Sequence, residues 1–231
     1  MSKSYRHIFF DLDRTLWNFE ENSKLVLQAI FQKFDLDKQI ENESDFIQKY
    51  YYYNDFLWER YRNNSITKEQ LRDERFKLTL EHFHITNTKI AFEMGDFYVS
   101  ESPKQTALMP FAREILDYLD GKYKMHIITN GFEEVQHIKL NESNIRHYFE
   151  HLIFSEKVGV KKPHPLIFKR ALKYSGAKVT ESLMIGDDYQ ADIYGAQRIK
   201  MDSVYYNFHK TPHTNTVDTE ISCLSELMRI L

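Results

Sequence analysis

Chain breakers are distributed very unevenly in this sequence. Its 231 residues include only 7 glycines and 5 prolines, and the first 102 residues hold a single one of these, Gly95. Inside a helix glycine costs about 1 kcal/mol and proline about 3 kcal/mol, so a long stretch without them can be helical throughout. The other six glycines and all five prolines fall between Pro103 and Pro212. Average usage would give roughly 16 glycines and about 12 prolines, which excludes collagen-like, low-complexity and glycine-rich architectures. The chain therefore reads as a helical block followed by a segment that turns often.

Hydrophobic spacing gives that division more detail. Residues 5–10 form an apolar strand that stops at Asp11. From about Glu20 to Ser102 the spacing is helical, with Leu25, Ala29, Ile30 and Phe34 on one face and Thr67 placed to cap a helix with Gln70 three residues on. Three or four helices are expected there. After Pro110 the pattern alternates: helix 111–120 ended by Gly121, strand 124–129, helix 132–141, strand 151–155, helix 165–175 ended by Gly176, strand 182–185, helix 190–200, strand 203–206 and a closing helix from about Cys223. Such alternation predicts an α/β fold, a Rossmann-like parallel sheet with helices on both faces. Its first strand must pair with the later ones, so the helical block is an insertion. The expected division is 1–17 with 106–231 as the sheet-bearing core and 18–105 as the inserted, all-helical domain.

Charge and cysteine content limit the setting. A formal charge of -3 gives no global basic field for a nucleic-acid polymer or an anionic membrane. The single cysteine, Cys223, cannot form an internal disulfide and reads as a small apolar residue suited to a reducing compartment. The apolar run Ile8-Phe9-Phe10 is broken at once by Asp11, so no signal peptide is read, and no run approaches a membrane span. A soluble, cytoplasmic protein, monomer or homodimer, is expected.

In open α/β sheets ligands bind outside the carboxyl ends of the strands, and four motifs fall there. Asp11-Leu12-Asp13-Arg14-Thr15-Leu16 follows the first strand; two acids at a strand end suit either a solvated turn or a site, and the buried strand before them would deliver Asp11 to a fixed point. Thr129-Asn130-Gly131 follows the second strand, and a strand-to-helix turn offers a hydroxyl and N–H groups to a phosphate. In Lys161-Lys162-Pro163 the proline holds the preceding lysine extended, although a lysine pair is commonly just a solvated charge run. Gly186-Asp187-Asp188-Tyr189-Gln190-Ala191-Asp192 follows a further strand. It is an acidic helix start by one reading, and by another the carboxylate that completes a hard oxygen site for Mg²⁺ with Asp11 and Asp13.

In this order the four motifs resemble the haloacid dehalogenase superfamily, and the likeness spans essentially the whole chain, with a helical cap inserted after the first motif. The resemblance implies a phosphatase with Asp11 as nucleophile, forming an aspartyl phosphate, and Asp13 as general acid and then base. Thr129 and the Asn130 amide would hold phosphoryl oxygens, and Lys162 would neutralise charge on the phosphoryl group and keep Asp11 ionised. Asp187, the Asp11 carboxylate and the Asp13 carbonyl would hold Mg²⁺. Asp192 would orient the lysine or a metal-bound water; Asp188 is a lesser candidate, and Arg14 is given no role. Dehalogenases of this fold lack an acid at the Asp13 position and need no metal, which disfavours a 2-haloacid dehalogenase. Sugar-phosphate phosphatases and phosphomutases remain alternatives, as does a non-catalytic scaffold that binds phosphate esters.

Within the superfamily the strongest likeness is to house-cleaning pyrimidine 5'-nucleotidases, which dephosphorylate nucleoside monophosphates. It lies in Asp11 to Trp17, in Leu57-Trp58-Glu59-Arg60-Tyr61 with Ile66, Leu71, Arg75 and Phe76, in Ile127 to Phe132, and in Ser155-Glu156 with Val158-Gly159-Val160. Asn64 stands where that group commonly has glycine; asparagine tolerates the left-handed conformation next best, so the helix break should persist. The cap would choose the substrate, a small-molecule phosphate ester. Trp17, Trp58 and the run Tyr50-Tyr51-Tyr52-Tyr53 are candidates for stacking on a base, or else plain packing. The ten histidines have no spacing matched to the site and read as surface or core residues.

Overall fold

The computed structural model describes residues 5–231. Along the chain run β1 (His7–Phe10), α1 (Phe19–Lys33), α2 (Glu43–Arg62), α3 (Lys68–His82), α4 (Thr88–Glu101), α5 (Ala112–Leu119), β2 (Lys124–Thr129), α6 (Glu133–Glu142), β3 (Phe149–Phe154), α7 (Ser155–Val158), α8 (Pro165–Ser175), β4 (Ser182–Gly186), α9 (Tyr194–Gln197), β5 (Asp202–Tyr206) and β6 (Thr219–Ile221). Two compact units result, one of the residues up to Phe19 with Thr106–Leu231, the other of Glu20–Gln105.

The first unit is a six-stranded sheet in the order β3-β2-β1-β4-β5-β6, every neighbouring pair parallel. Buried parallel strands read as continuous apolar runs, and β1 is enclosed at all four positions. Its side chains alternate between two cores. Ile8 and Phe10 pack with Ile127, Ile185, Leu116 and Leu140 on one face. Phe9 packs with Ile128, Met184, Phe168 and Ala196 on the other. The register sets Phe10 beside both Ile127 and Ile185, so β1, β2 and β4 end within two residues of one another and bring Asp11, Thr129 and Asp187 to one edge. The chain leaves β1 towards β2 on one side and β4 on the other, the strand-order switch where such sheets bind ligands.

Three local features differ from the sequence expectations. The helix expected over 190–200 opens as a wide π turn, Tyr189–Ile193, before α9; such turns commonly mark functional sites, and this one carries Asp192. The closing helix is a 3-10 segment, Leu224–Arg229. Leu224 and Leu227 are its buried residues, a spacing of three that matches the 3-10 repeat, and Glu226 Oε1 accepts from the Ser222 and Cys223 N–H groups at 2.9 Å each. Strand β6 was not expected, because only Ile221 of its three residues is buried and no apolar run announces it.

The second unit holds four helices around Val26, Leu27, Phe46, Tyr50, Phe76, Met94 and Tyr98. Thr67 forms a full capping box with Gln70 at the start of α3. Asn64 has φ 57, the left-handed turn expected after α2. The four consecutive tyrosines divide as a helix demands, Tyr50 fully enclosed and Tyr52 65% exposed. No helix of the described residues is long and apolar enough to cross a membrane.

Candidate active site

Lys162 is the centre of the site. It is buried, and its Nζ donates to Asp11 Oδ1 at 2.5 Å, to Asp192 Oδ1 at 2.6 Å and to the Ile128 carbonyl at 2.8 Å. An ammonium has three donors, so all are engaged. Donation by Lys162 to any further acceptor requires one of these bonds to be exchanged. Asn130 fixes the lysine's backbone from both sides: its Oδ1 accepts from Lys162 N at 2.8 Å and its Nδ2 donates to Lys162 O at 3.1 Å. The following Lys162–Pro163 peptide is cis. The Asn130 side chain thus positions the lysine loop, and its main-chain N–H is the group it could offer a phosphate.

Asp187 is held by Thr15, whose hydroxyl donates to Asp187 Oδ1 at 3.0 Å and accepts from Asp187 N at 3.1 Å. The carboxylate oxygens of Asp11, Asp187 and Asp192 lie within 4.8 Å of one another. Burial pushes the Asp187 carboxyl well above the usual carboxylate range, and the charges of Asp11 and Asp192 add to it. Asp11 is likewise raised by burial, with Lys162 opposing, and Asp192 is pushed up to about 7 by burial against the pull of Lys162. Burial also disfavours the Lys162 ammonium, but Asp11 and Asp192 outweigh it and hold the lysine charged. Three acids outnumber the cations that act on them, Lys162 at Asp11 and Asp192 and Arg14 at Asp187, and a hard oxygen set suits Mg²⁺. The residues therefore fit such an ion.

Asp13 faces a different group. Its Oδ1 accepts from Lys139 Nζ at 2.5 Å and its Oδ2 from Gln136 Nε2 at 2.7 Å. Both Asp13 carboxylate oxygens are thus engaged, and the carboxylate charge still reaches Asp11, whose carboxyl it helps to raise after burial. Gln136 Nε2 also donates to Thr129 Oγ1 at 3.1 Å, and Gly131 N donates to the same oxygen at 3.0 Å. Both contacts use Thr129 as acceptor, so its O–H is available to a phosphoryl oxygen. Gln136 and Lys139 were missed at the sequence level. Their signal was available, a glutamine and a lysine three residues apart on one face of the helix that follows Thr129-Asn130-Gly131.

Trp17 is fully buried in the core of the first unit, with the Lys139 ammonium 4.0 Å from its ring centre. It packs there, the plain-packing alternative to stacking on a base, with Lys139 on its face. Trp58 is half-buried on α2, edge-on to Tyr61 at 5.6 Å. Asp188 caps the π turn, its Oδ1 accepting from Ala191 N at 2.9 Å. Among the histidines, His7 of β1 and His126 of β2 are buried with ring nitrogens 3.0 Å apart, towards the amino ends of their strands and away from the carboxyl ends that carry Asp11 and Thr129.

A strand-end aspartate beside a buried lysine and two further acids points to a class, and the family comparison agrees. Residues 5–200 match the haloacid dehalogenase-like hydrolase family, and the chain belongs to it. It is 31% identical over 227 residues to the pyrimidine 5'-nucleotidase YjjG of Escherichia coli K12, covering 97% of this chain and 96% of that protein. It is 28% identical over 236 residues to the pyrimidine 5'-nucleotidase PynA of Streptococcus pneumoniae, covering 98% and 95%. The solved structure of the putative HAD-hydrolase YfnB from Bacillus subtilis, bound to magnesium, superposes with a TM-score of 0.89 at 25% identity over 99% of both chains. Phosphoric monoester hydrolysis is the activity of this class to which the chain's site and relatives correspond.

Proposed function

We propose that the protein is a Mg²⁺-dependent pyrimidine 5'-nucleotidase that works through an aspartyl phosphate. The observation that carries this reading is the placement of Lys162 between Asp11 and Asp192 with Asp187 beside them. Asp11 Oδ attacks phosphorus, the ester P–O bond breaks, and Asp13 gives its proton to the leaving oxygen. Water then attacks the phosphorus of the aspartyl phosphate, Asp13 takes the water's proton, and the bond to Asp11 breaks to release phosphate. Thr129 and the Asn130 N–H hold the phosphoryl oxygens. Lys162 keeps Asp11 ionised, and Asp192 keeps Lys162 in place. Mg²⁺ held by Asp11, Asp187 and the Asp13 carbonyl would neutralise phosphoryl charge.

The four-helix unit, Glu20–Gln105, selects the substrate, because the strand-end residues recognise only phosphate. The pyrimidine assignment draws on the similarity to two nucleotidases over nearly the whole chain, this unit included. A panel of phosphate esters assayed with Mg²⁺ tests it: pyrimidine nucleoside monophosphates should exceed sugar phosphates in kcat/KM, and the reverse ranking rejects the assignment. Equal rates for wild type and Asp11→Asn would reject the mechanism. Beryllium fluoride with Mg²⁺ should bind at Asp11 as a phosphoryl mimic.

A further inference from the structure

Among the described residues two groups of side chains are placed to share a metal ion. One is the strand-end set Asp11, Asp187 and Asp192, all oxygen. The other is His126, Glu150 and His151, near the opposite, amino ends of β2 and β3, and its ligand atoms also lie within 4.8 Å of one another.

The second group owes its form to an irregularity in the sheet. Met125 pairs with Phe149 and His126 with His151, so Glu150 is an extra residue on β3. In a regular strand Glu150 and His151 would point to opposite faces. A bulge re-aims side chains, and this one brings both within reach of His126, whose ring stacks on that of His151 with centroids 5.4 Å apart. Strand β3 is an edge of the sheet, and there Glu150 is exposed and His151 half-buried.

His126 is fully enclosed, its ring against Phe9. Packing alone would be met by an apolar residue, as at Ile128 on the same face. Instead an imidazole is buried with one nitrogen engaged and the other idle: Nε2 lies 3.0 Å from His7 Nδ1, and Nδ1 is enclosed without a partner. A buried polar atom left unpaired is costly. The tautomer that donates Nε2–H to His7 leaves a lone pair on Nδ1, and a metal-ligating histidine characteristically gives its other N–H to such a neighbour. Burial, with the charges of His7, His151 and Lys124, lowers His126 to about 3, so the ring is neutral, the form a metal takes.

We propose that His126, His151 and Glu150 form a Zn²⁺ site, with His7 orienting His126, that ties the edge strand β3 to β2. Two imidazoles and a carboxylate suit Zn²⁺, whereas the all-oxygen set suits Mg²⁺. His126 is the fixed ligand, and the more accessible His151 and Glu150 turn onto the ion. Glu150 meets Lys124 at 3.3 Å in an exposed pair, of a kind that holds weakly and can be given up. The site does not depend on the phosphatase reading.

Equilibrium dialysis of the full chain against Zn²⁺ in excess Mg²⁺, with thermal melts, tests it. Wild type should take up about one tightly held Zn²⁺ that Mg²⁺ does not displace, and its Tm should rise as Zn²⁺ is added. In His151→Gln and in Glu150→Gln the Zn²⁺ dissociation constant should rise at least about tenfold, and the gain in Tm should shrink with it. Glu150→Gln alters an exposed side chain, so it decides the matter even where His151→Gln folds poorly. Asp187→Asn should keep the wild-type Zn²⁺ affinity. Displacement of Zn²⁺ by Mg²⁺, or loss of Zn²⁺ uptake in Asp187→Asn, would place the ion on the strand-end acids and overturn the proposal. Equal Zn²⁺ affinity in wild type and Glu150→Gln, or a wild-type Tm that Zn²⁺ leaves unchanged, would overturn it as well.

Discussion

Gly186, the last residue of β4, lies directly against Asp192: a Cβ built on Gly186 would stand 2.2 Å from Asp192 Oδ2. The contact is possible only because the π turn carries the Asp192 carboxylate back over the strand end, where Asp188 N donates to its Oδ2 at 3.2 Å. Glycine is needed here for close approach, not for a left-handed conformation.

Gly186→Ala should accordingly displace Asp192 and release one of the three anchors of Lys162. Overpacking of this kind costs about 1–3 kcal/mol. The expected outcome is a Tm lower by a few degrees and kcat reduced more than about tenfold, read by melting curves and initial rates. Unchanged kinetics would mean that Asp192 does not position the lysine.

Lys139 is expected to act by positioning Asp13. Lys139→Met keeps the stem over Trp17 and removes the ammonium, so kcat should fall roughly 10- to 100-fold, within the range of a misplaced general acid. The Mg²⁺ concentration for half-maximal rate should stay the same, because Asp11 and Asp187 are untouched. A shift in that concentration instead of kcat would assign Lys139 to the metal site.

The acid cluster should make metal binding and stability opposed in one variant. Chelation of Mg²⁺ should abolish wild-type activity, and adding Mg²⁺ should raise Tm by mass action. Asp187→Asn removes a carboxyl whose ionised form is disfavoured by burial and by the charges of Asp11 and Asp192, so the metal-free variant should melt at or above wild type while losing the Mg²⁺-dependent rise. Retention of that rise would place the ion elsewhere.

His126 gives a pH dependence away from the site. Burial, with the charges of His7, His151 and Lys124, lowers it from 6.5 to about 3. Below 6.5 the unfolded chain binds a proton that the folded protein refuses. Stability is therefore full above about 6.5 and is lost as pH falls towards 3. Between pH 6.5 and 5 this amounts to about 2 kcal/mol, measurable by urea unfolding, and His126→Phe should flatten that part of the profile. A variant with the wild-type slope would show that His126 is protonated in the fold.

Much of the architecture is legible along the chain because it depends on local terms. The scarcity of breakers before Pro103, with Gly95 alone inside α4, permits four long helices, Thr67 with Gln70 starts α3, and Gly121 and Gly176 take the left-handed positions, φ 72 and 64, that end α5 and α8. The apolar runs before Asp11, Thr129 and Asp187 become neighbouring parallel strands, which is why these three residues stand at adjacent strand ends. Short, polar or irregular pieces carry no such signal: β6, the π turn at Tyr189–Ile193 and the 3-10 segment after Cys223 owe their form to partners distant in sequence.

Sequence by itself determined which residues stand at the strand ends, since alternation and strand length set that without reference to anything remote. Only the tertiary structure decided what those residues face. It turned the Asn130 amide onto the Lys162 backbone, engaged every Lys162 donor, and gave Asp13 to Gln136 and Lys139. These are side-chain pairings across 30 to 151 positions of chain, fixed by desolvation and charge once the core has closed, and no periodicity encodes them.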